Sequence, residues 1–464
     1  MIEEPTTVKR DGITLSITAS SGFMKVDQNQ EDNVITRVYK RRWLVLILYI
    51  AYASLVSGQC FQYFIISNVI MRYYNVSAFA VDSTSMLFLL ILSIFIFPMS
   101  YVTERLGLRR SIILGCGLCT LGCWIKNFSV SPDGFLITLL GQAVVALSAT
   151  IMLLTPGQVS AAWFGVDELS TATSLGVFGN QLGVAIWFLL PPVMVKNHDN
   201  IIGIGHELSE MFWILTISSS ITFILIIAFF QNEPKLPPSE TRALQKNLEQ
   251  EKTQGFFKPM KRLLTNKSFL ILCNSYGISV GNYNVFGTLL NQLFLVHFAN
   301  GEEDAGRIGF AFILTGMLGS ITFGIILDKT HKFKWTAVTV YFLTLCGQIF
   351  FAVSLFLGIK WMVYASSIFL GFFMTGYLAL GYEMATEYTY PDSETLSAGI
   401  LNITPNIYGI VLVLILERLL ENFGDEVVHV VLCAVLFMGL ILTIITKDEH
   451  RRQDARNIAK IAVS

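Results

Sequence analysis

Long apolar stretches recur along the whole chain, and they constrain its fold more than any other feature. Each is long enough to cross the hydrocarbon layer of a membrane, which takes about 20 residues. Backbone groups inside lipid must be satisfied within their own segment, so each stretch is predicted to be an α-helix. Because charged residues make up only 14% of the chain, we predict an all-α, multi-pass integral membrane protein in a lipid bilayer. The twelve predicted spans are about 43–71, 80–103, 111–126, 134–157, 171–195, 209–231, 268–297, 306–327, 335–358, 361–386, 395–420 and 427–446.

The chain also repeats itself. Two six-helix bundles joined by a basic loop are typical of transporters that rock around a cargo site near the middle of the bilayer. We therefore predict twelve transmembrane helices in two pseudo-symmetric six-helix bundles. Matching positions lie 224 or 225 residues apart: Trp43 and Lys267, Glu104 and Asp328, Gln59 and Asn284, and Gln181 and Asn406. The predicted segments are an N-terminal tail (1–42), a first bundle (43–231), a linker loop (232–267), a second bundle (268–446) and a C-terminal tail (447–464).

Lysine and arginine are distributed unevenly between the two sides of this arrangement. If both termini are cytoplasmic, the tails and loops on that side hold 26 of the 32 Lys and Arg residues. This excess predicts cytoplasmic termini by the positive-inside rule. Asn75 and Asn127, each followed two residues later by serine, then lie outside as possible glycosylation sequons. The formal net charge of -1 argues against a nucleic-acid partner.

The fifth span carries two amides where hydrocarbon is expected. Asn180 and Gln181 lie near its middle, and a buried amide without a partner costs roughly 2–7 kcal/mol. Gly176, Gly179 and Gly183 surround them, and small residues let a neighbouring helix approach closely. This combination predicts a polar passage at mid-depth rather than a helix that faces lipid.

Amides and aromatic side chains recur at the same depth in other spans. Ring faces attract an ammonium group, and amides can hydrogen-bond a hydroxyl, so the set favours a small organic cation that carries an alcohol. Few ionisable groups are expected at this depth, which favours facilitated diffusion over proton coupling. The alternative is that the amides only tie the helices together. The candidate cargo-binding residues are Gln59, Cys60, Phe61, Asn180, Gln181, Tyr283, Asn284 and Asn406.

Two short charged turns occupy matching places in the halves. One follows the second span and carries Glu104, Arg105 and Arg109, and the other follows the eighth span and carries Asp328 and Lys329. Both resemble the signature loop of the major facilitator superfamily. We expect an ion-pair latch that holds the outward-open state and releases in the inward-open state. Glu383, near the cytoplasmic end of the tenth span, is assigned to the gate or to a structural pair, with a proton-coupling site as the alternative.

Several segments resemble the feline leukaemia virus subgroup C receptor-related family, in register through about residues 40–450. The resemblance implies a major facilitator fold and a plasma-membrane facilitator for choline and ethanolamine, with haem as another cargo described for the family. The family's choline site has two glutamines: Gln181 matches the first, and Asn406 stands at the second. The segments that carry the resemblance are 62–68, 163–165, 179–183, 189–192, 288–292, 305–309 and 371–377.

The aromatic cage implied by the resemblance is altered at two positions. The family's tryptophan in the first helix falls on Cys60, next to Phe61, and its tyrosine in the seventh helix falls on Asn284, next to Tyr283. One residue turns a helix by about 100°. We therefore expect Phe61 and Tyr283 not to replace the family's aromatic residues directly.

Three rival functions remain open at this stage. A haem carrier needs ligands such as Cys or His, and Cys60 and His297 are the candidates. A membrane enzyme needs clustered reactive side chains at depth, but the six His residues lie near predicted helix ends or in loops. A receptor or scaffold without transport is the third rival. We expect no enzyme activity, no cofactor, no bound metal and a monomer.

Overall fold

A computed structural model shows how the predicted spans fold together. It describes residues 39–165, 168–198, 200–234, 257–330, 332–389 and 394–447, the backbones of three short strands before residue 27, and the single positions 236, 238 and 451. Helices account for almost all of the described chain. The first half contains α1 (Arg41–Gly58), a 3-10 turn (Phe64–Ile66), α2 (Ser67–Tyr74), α3 (Ala78–Leu106), α4 (Leu108–Asn127), α5 (Phe135–Leu154), α6 (Pro156–Trp163), α7 (Leu169–Met194) and α8 (Ile201–Phe229).

The second half repeats this order after a short helix in the linker. That half contains α9 (Phe257–Thr265), α10 (Lys267–His297), α11 (Glu302–Thr330), α12 (Phe333–Phe356), α13 (Lys360–Thr389), α14 (Glu394–Phe423) and α15 (Asp425–Ile445). The membrane helices α1, α3, α4, α5, α7 and α8 begin 224 to 226 residues before α10, α11, α12, α13, α14 and α15. The repeat predicted from the sequence is therefore confirmed at the level of whole helices.

The described helices include eleven that are long and apolar enough to cross a membrane. The remaining predicted span, α10, has 31 residues and the required length, but amide side chains along it lower its hydropathy. We count it as the twelfth membrane helix because it packs within the second bundle against α14 and α15. The amides are Asn274, Asn282, Asn284, Asn291 and Gln292.

The predicted single helix over 43–71 is wrong in its middle. Helix α1 ends at Gly58, and turns at residues 59–63 and the 3-10 turn separate it from α2. Gly58, the last residue of α1, packs tightly on α7, since a methyl group added there would overlap the indole of Trp187. The first span is therefore two helices joined by an irregular segment at mid-depth, a geometry that membranes tolerate where protein surrounds it.

A small antiparallel sheet lies in the N-terminal tail. Strands Thr6–Arg10 (β1), Ile13–Ile17 (β2) and Met24–Val26 (β3) pair in sequence order. The all-α prediction therefore holds for the membrane helices and misses this sheet. Its sequence signals are the β-branched residues of the first two strands and the Asp-Gly dipeptide between them, a common hairpin turn.

The two bundles meet along a pseudo-symmetric interface. Helix α7 of the first half packs against α11 of the second, and α14 of the second half packs against α3 of the first. Helix α7 corresponds to α14, and α3 corresponds to α11. The two contacts are therefore equivalent: each becomes the other when the two halves are interchanged. The cargo site predicted from the sequence should therefore lie along this interface between the two bundles.

Candidate functional site

Phe61, Gln181 and Tyr283 meet between the bundles at mid-depth. The Tyr283 hydroxyl lies 3.5 Å from the Gln181 side-chain oxygen. The rings of Phe61 and Tyr283 are 6.5 Å apart and nearly perpendicular. Phe61 and Tyr283 keep 7% and 8% of their surface exposed, and Gln181 is half-buried. These three residues come from α7, α10 and the break in the first span, so both halves contribute to the site.

The expectation that Phe61 and Tyr283 do not directly replace the family's aromatic residues stays a prediction, and its helical-spacing argument covers only Tyr283, which lies inside α10. The value of about 100° per residue applies inside a continuous helix, but Phe61 lies in the irregular segment between α1 and α2. Its ring stacks on Phe188 with centroids 5.4 Å apart, and Tyr283 in turn packs on Phe312 at 5.8 Å. The site therefore has an aromatic wall, although neither ring occupies the position at which the resemblance placed one.

Close packing of α1 against α7 fixes the position of Gln181. The Ser54 hydroxyl donates to the Gly179 carbonyl at 2.7 Å, and the Ser57 hydroxyl donates to the Asn180 carbonyl at 2.8 Å. A methyl group added at Gly183 would overlap the backbone of Ser54. The predicted role of the glycines in admitting a neighbouring helix is confirmed.

The other candidate residues do not join Phe61, Gln181 and Tyr283 in one hydrogen-bond network among the described side chains. Asn284 packs against Gly409, where an added methyl group would lie 3.2 Å from the Asn284 amide nitrogen. Asn406 and Asn180 are half-buried, and Cys60 is 7% exposed. Within the described part of the chain, no hydrogen bond joins the Asn406 amide to Gln181.

Gln59 lies elsewhere, because its amide is used inside the first bundle. Its side-chain nitrogen donates to the Leu55 carbonyl at 2.8 Å, and its side-chain oxygen accepts from Lys126 at 2.9 Å. Gln59 is fully buried. We therefore leave Gln59 out of the cargo site, since its hydrogen-bonding groups are already occupied.

Buried ionisable side chains are more numerous than the sequence suggested. Asp82 is fully buried and accepts from the Gln292 side-chain nitrogen at 3.2 and 3.3 Å. Lys126 is also fully buried, and Glu417 is 2% exposed. All three lie near predicted helix ends, where sequence alone indicates contact with water. In the folded protein these three side chains are instead buried, because helices distant in sequence pack over them.

The bundles are joined at the end of the membrane helices opposite the chain termini, which we call the far end. The Asn291 side-chain nitrogen donates to the Ile65 carbonyl at 2.7 Å, and the Ser67 hydroxyl donates to the Asn291 side-chain oxygen at 3.0 Å. Asn68 donates to Glu302 at 2.7 Å. These bonds cross from the first half to the second and close the far end.

The predicted latch residues lie at the opposite end, which we call the tail end. Glu104 and Lys329 are exposed, Arg105 stacks on Tyr101 at 4.6 Å, and Arg109 donates to the Ile227 carbonyl at 3.1 Å. Among the side chains that the structure describes, none of Glu104, Arg105 and Arg109 forms an ion pair.

Two further latch residues complete the set. Glu383 is exposed, and its carbonyl accepts from Thr386. The Asp328 side chain lies outside the described residues. The latch therefore stays a prediction for another state of the protein.

The two sequons differ in accessibility. Asn75 is exposed in the loop before α3 and ends α2 with φ 51°. The Asn127 amide nitrogen is held by the Cys123 carbonyl and the Thr216 hydroxyl, and Ser129 is fully buried. This geometry disfavours glycosylation at Asn127, although the sequence alone does not distinguish the two sequons.

The two haem-ligand candidates do not come together. Cys60 is buried at the break in the first span, whereas His297 lies at the far end of α10 and binds Asp425 at 2.6 Å. A His already held by a carboxylate and a distant Cys do not form a ligand pair.

Comparison with known proteins places this arrangement in a family. The model of the Major Facilitator Superfamily matches residues 44–358 and 272–462. The choline/ethanolamine transporter flvcr2a of Danio rerio is 41% identical over 90% of this chain and 89% of its own. FLVCR2 of Homo sapiens, also named a choline/ethanolamine transporter, is 38% identical over 92% and 81%. FLVCR1 of Felis catus, named for the same activity, is 38% identical over 90% and 75%.

Solved structures share the fold. A bacterial homolog of the human lysosomal transporter Spinster, in an inward-facing and unoccupied conformation, has a TM-score of 0.63 at 14% identity, covering 88% of this chain and 95% of that one. The E. coli fucose:proton symporter has a TM-score of 0.59 at 12% identity, covering 87% and 99%. The fold predicted from the repeat is thereby confirmed. The chain belongs to the major facilitator superfamily and, within it, to the feline leukaemia virus subgroup C receptor-related (FLVCR) family of membrane transporters.

Proposed function

We propose that this protein is a facilitative transporter of choline or ethanolamine that works by alternating access and has no enzyme activity. The observation that carries the proposal is the meeting of Phe61, Gln181 and Tyr283 between the two bundles. The activity for which relatives at 38% to 41% identity are named supports the choice of cargo.

The chemistry of these side chains suits an ammonium group with a hydroxyl. Aromatic rings stabilise a cation at their faces by about 0.5–2 kcal/mol, more when water is excluded. The Gln181 side chain can hydrogen-bond the alcohol. No carboxylate lies among the side chains described at this site, so the cation would be held by the rings and not by an ion pair. Such a site releases its cargo readily, as a facilitator must.

The distribution of charge supports an orientation with both termini in the cytoplasm. The far end would then face outside, and the hydrogen bonds of Asn291 and Asn68 would seal the extracellular entrance. The exposed charges of the tail end would form the latch in the alternate state. By the family resemblance we place the protein in the plasma membrane, and we propose separately that it works as a monomer.

A haem carrier is the weaker proposal. Haem needs an axial ligand such as His or Cys, and the separation of Cys60 from His297 removes the pair on which that alternative rested.

The test is uptake of labelled choline in cells that lack their own choline uptake, with surface expression measured in parallel. We expect saturable uptake that unlabelled ethanolamine competes away. A protein that reaches the surface and gives no uptake above that of empty vector would overturn the proposal.

Glycosylation offers a test of the orientation. We expect Asn75→Gln to remove a glycan, because Asn75 is exposed in a loop that the orientation places outside. Asn127→Gln should leave the mass of the protein unchanged, since its amide nitrogen is held inside the first bundle. The measurement is the gel mobility of each variant with and without glycosidase. A glycan that survives in Asn75→Gln and disappears in Asn127→Gln would contradict both the assignment of the glycan to Asn75 and the burial of the Asn127 sequon.

A further inference from the structure

Lys126 is a buried lysine with no carboxylate partner among the described side chains, in the core of the first bundle. Its side chain is fully buried. The ammonium donates to the Gln142 side-chain oxygen at 2.7 Å and to the Gln59 side-chain oxygen at 2.9 Å. It also lies 5.5 Å from the centre of the Tyr63 ring. A charge at membrane depth is costly and usually functional, so a role for this lysine is expected.

The bonds of the two glutamines account for the presence of a cation. The Gln59 side-chain nitrogen donates to the Leu55 carbonyl, and the Gln142 side-chain nitrogen donates to the Gln59 backbone carbonyl, both at 2.8 Å. Both amide nitrogens are therefore occupied, and both amide oxygens need a stronger donor than the Cys123 thiol, which lies 3.6 Å from the Gln59 oxygen. A lysine ammonium has three N–H groups and no acceptor, so one Lys126 satisfies both oxygens.

This network lies at the break in the first span. The Cys60 and Phe61 N–H groups bond back to Ser57 and Gly58 in tight turns of 3.2 and 3.1 Å. The Gln59 carbonyl instead accepts from Gln142. A carbonyl freed by a helix break inside a membrane must find such a partner. Lys126 and Gln142 thus hold the chain in its turn immediately before Phe61.

We propose that Lys126 is a positioning residue for cargo binding: it fixes the break in the first span and thereby holds the Phe61 ring at the cargo site. The inference deepens the proposed function and rests on it for the identity of the cargo. Among the described side chains, the Lys126 ammonium makes no hydrogen bond to the three site residues Phe61, Gln181 and Tyr283; its hydrogen bonds go to Gln59 and Gln142. Its effect on cargo passes through the backbone at residues 59–61.

The test compares Lys126→Met with Tyr52→Phe. Tyr52 is also fully buried in the first bundle, and its hydroxyl donates to the Ser148 carbonyl at 2.9 Å, away from the break. We expect Lys126→Met to raise the KM for choline about tenfold with a maximal rate within twofold of the parent protein. Tyr52→Phe should lower thermal stability while leaving KM within twofold.

A second measurement separates positioning from general damage to the fold. 3,3-Dimethylbutanol has the shape of choline without its charge. The parent protein should be inhibited far better by choline than by this neutral analogue, and Lys126→Met should reduce that preference about fivefold or more. An unchanged preference in a folded variant would overturn the proposal.

A third measurement needs no cargo and keeps the two proposals distinguishable. The Cys60 and Phe61 N–H groups are bonded to the Ser57 and Gly58 carbonyls in the turn that Lys126 is proposed to hold. In purified protein, Lys126→Met should speed hydrogen exchange of these two backbone amides at least fivefold, measured by mass spectrometry, whereas Tyr52→Phe should not. If the parent protein carries no choline but the two amides respond as expected, the proposed cargo fails and the positioning role stands. An unchanged rate of exchange at these amides would refute the positioning role regardless of cargo.

Discussion

Gly319→Ala is expected to abolish the folded protein. Helices α11 and α13 touch backbone to backbone at this point, and a methyl group on Gly319 would overlap the carbonyl oxygen of Phe372. The same contact is made from the other side, where a methyl group on Gly371 would overlap the carbonyl oxygen of Phe312. Neither backbone can move without separating the two helices. We therefore expect the free energy of unfolding to fall by several kcal/mol, which is at the upper end for overpacking in a protein core.

A matched control lies five residues further along the same helix. Gly324 has no atom within 4 Å of an added methyl group, so Gly324→Ala should be neutral. The measurement is the monodisperse peak of each variant in detergent by size-exclusion chromatography, followed by thermal unfolding. Recovery of Gly319→Ala at the level and melting temperature of Gly324→Ala would show that α11 and α13 do not touch backbone to backbone.

Gln181→Leu is expected to lower the kcat/KM for choline roughly 30-fold. Its side chain lies at the centre of the site, 3.5 Å from the Tyr283 hydroxyl. Loss of a buried hydrogen bond to the cargo hydroxyl costs about 2 kcal/mol, which corresponds to this factor. Inhibition by tetramethylammonium, which has no hydroxyl, should change by less than about twofold. The measurement is initial-rate uptake of choline with tetramethylammonium as competitor.

The control for this variant is Gln348→Leu. Gln348 is likewise a glutamine in a membrane helix and is buried, but α12 packs against α13 and α15 and away from the interface between the bundles. We expect its kcat/KM to stay within twofold of the parent value. Equal losses for choline and tetramethylammonium in Gln181→Leu would contradict the assignment of the amide to the hydroxyl.

The helices and their repeat could be predicted because lipid leaves the backbone few choices. A segment that crosses a membrane must satisfy its own hydrogen bonds, so apolar length alone locates the spans. The two halves therefore matched the structure helix by helix, from α3 and α11 to α8 and α15. Gln181 could also be placed, because an amide flanked by glycines at mid-depth is too costly to face lipid and must lie against another helix or a polar passage.

The interior of each bundle could not be predicted in the same way. From the sequence, Lys126 at the end of its predicted span would be expected to lie at the membrane surface. Its hydrogen-bond partners Gln59 and Gln142 lie 67 and 16 residues away along the chain. Only the packing of α1, α4 and α5 brings the three together. Gly58, at which α1 ends, packs against Trp187 of another helix, a contact that the sequence alone does not reveal. Phe61 lies in the break after Gly58, so helical spacing alone does not fix the orientation of its ring.

Uptake of choline into liposomes that contain only the purified protein tests the central claim most directly. A facilitator of a cation should accumulate choline in response to an inside-negative potential, by roughly 50-fold per 100 mV, from about 2.3 kcal/mol per charge. We predict saturable accumulation that follows the imposed potential. Liposomes that take up no more choline than protein-free ones, or an accumulation that ignores the potential, would contradict the assignment of this protein as a choline facilitator.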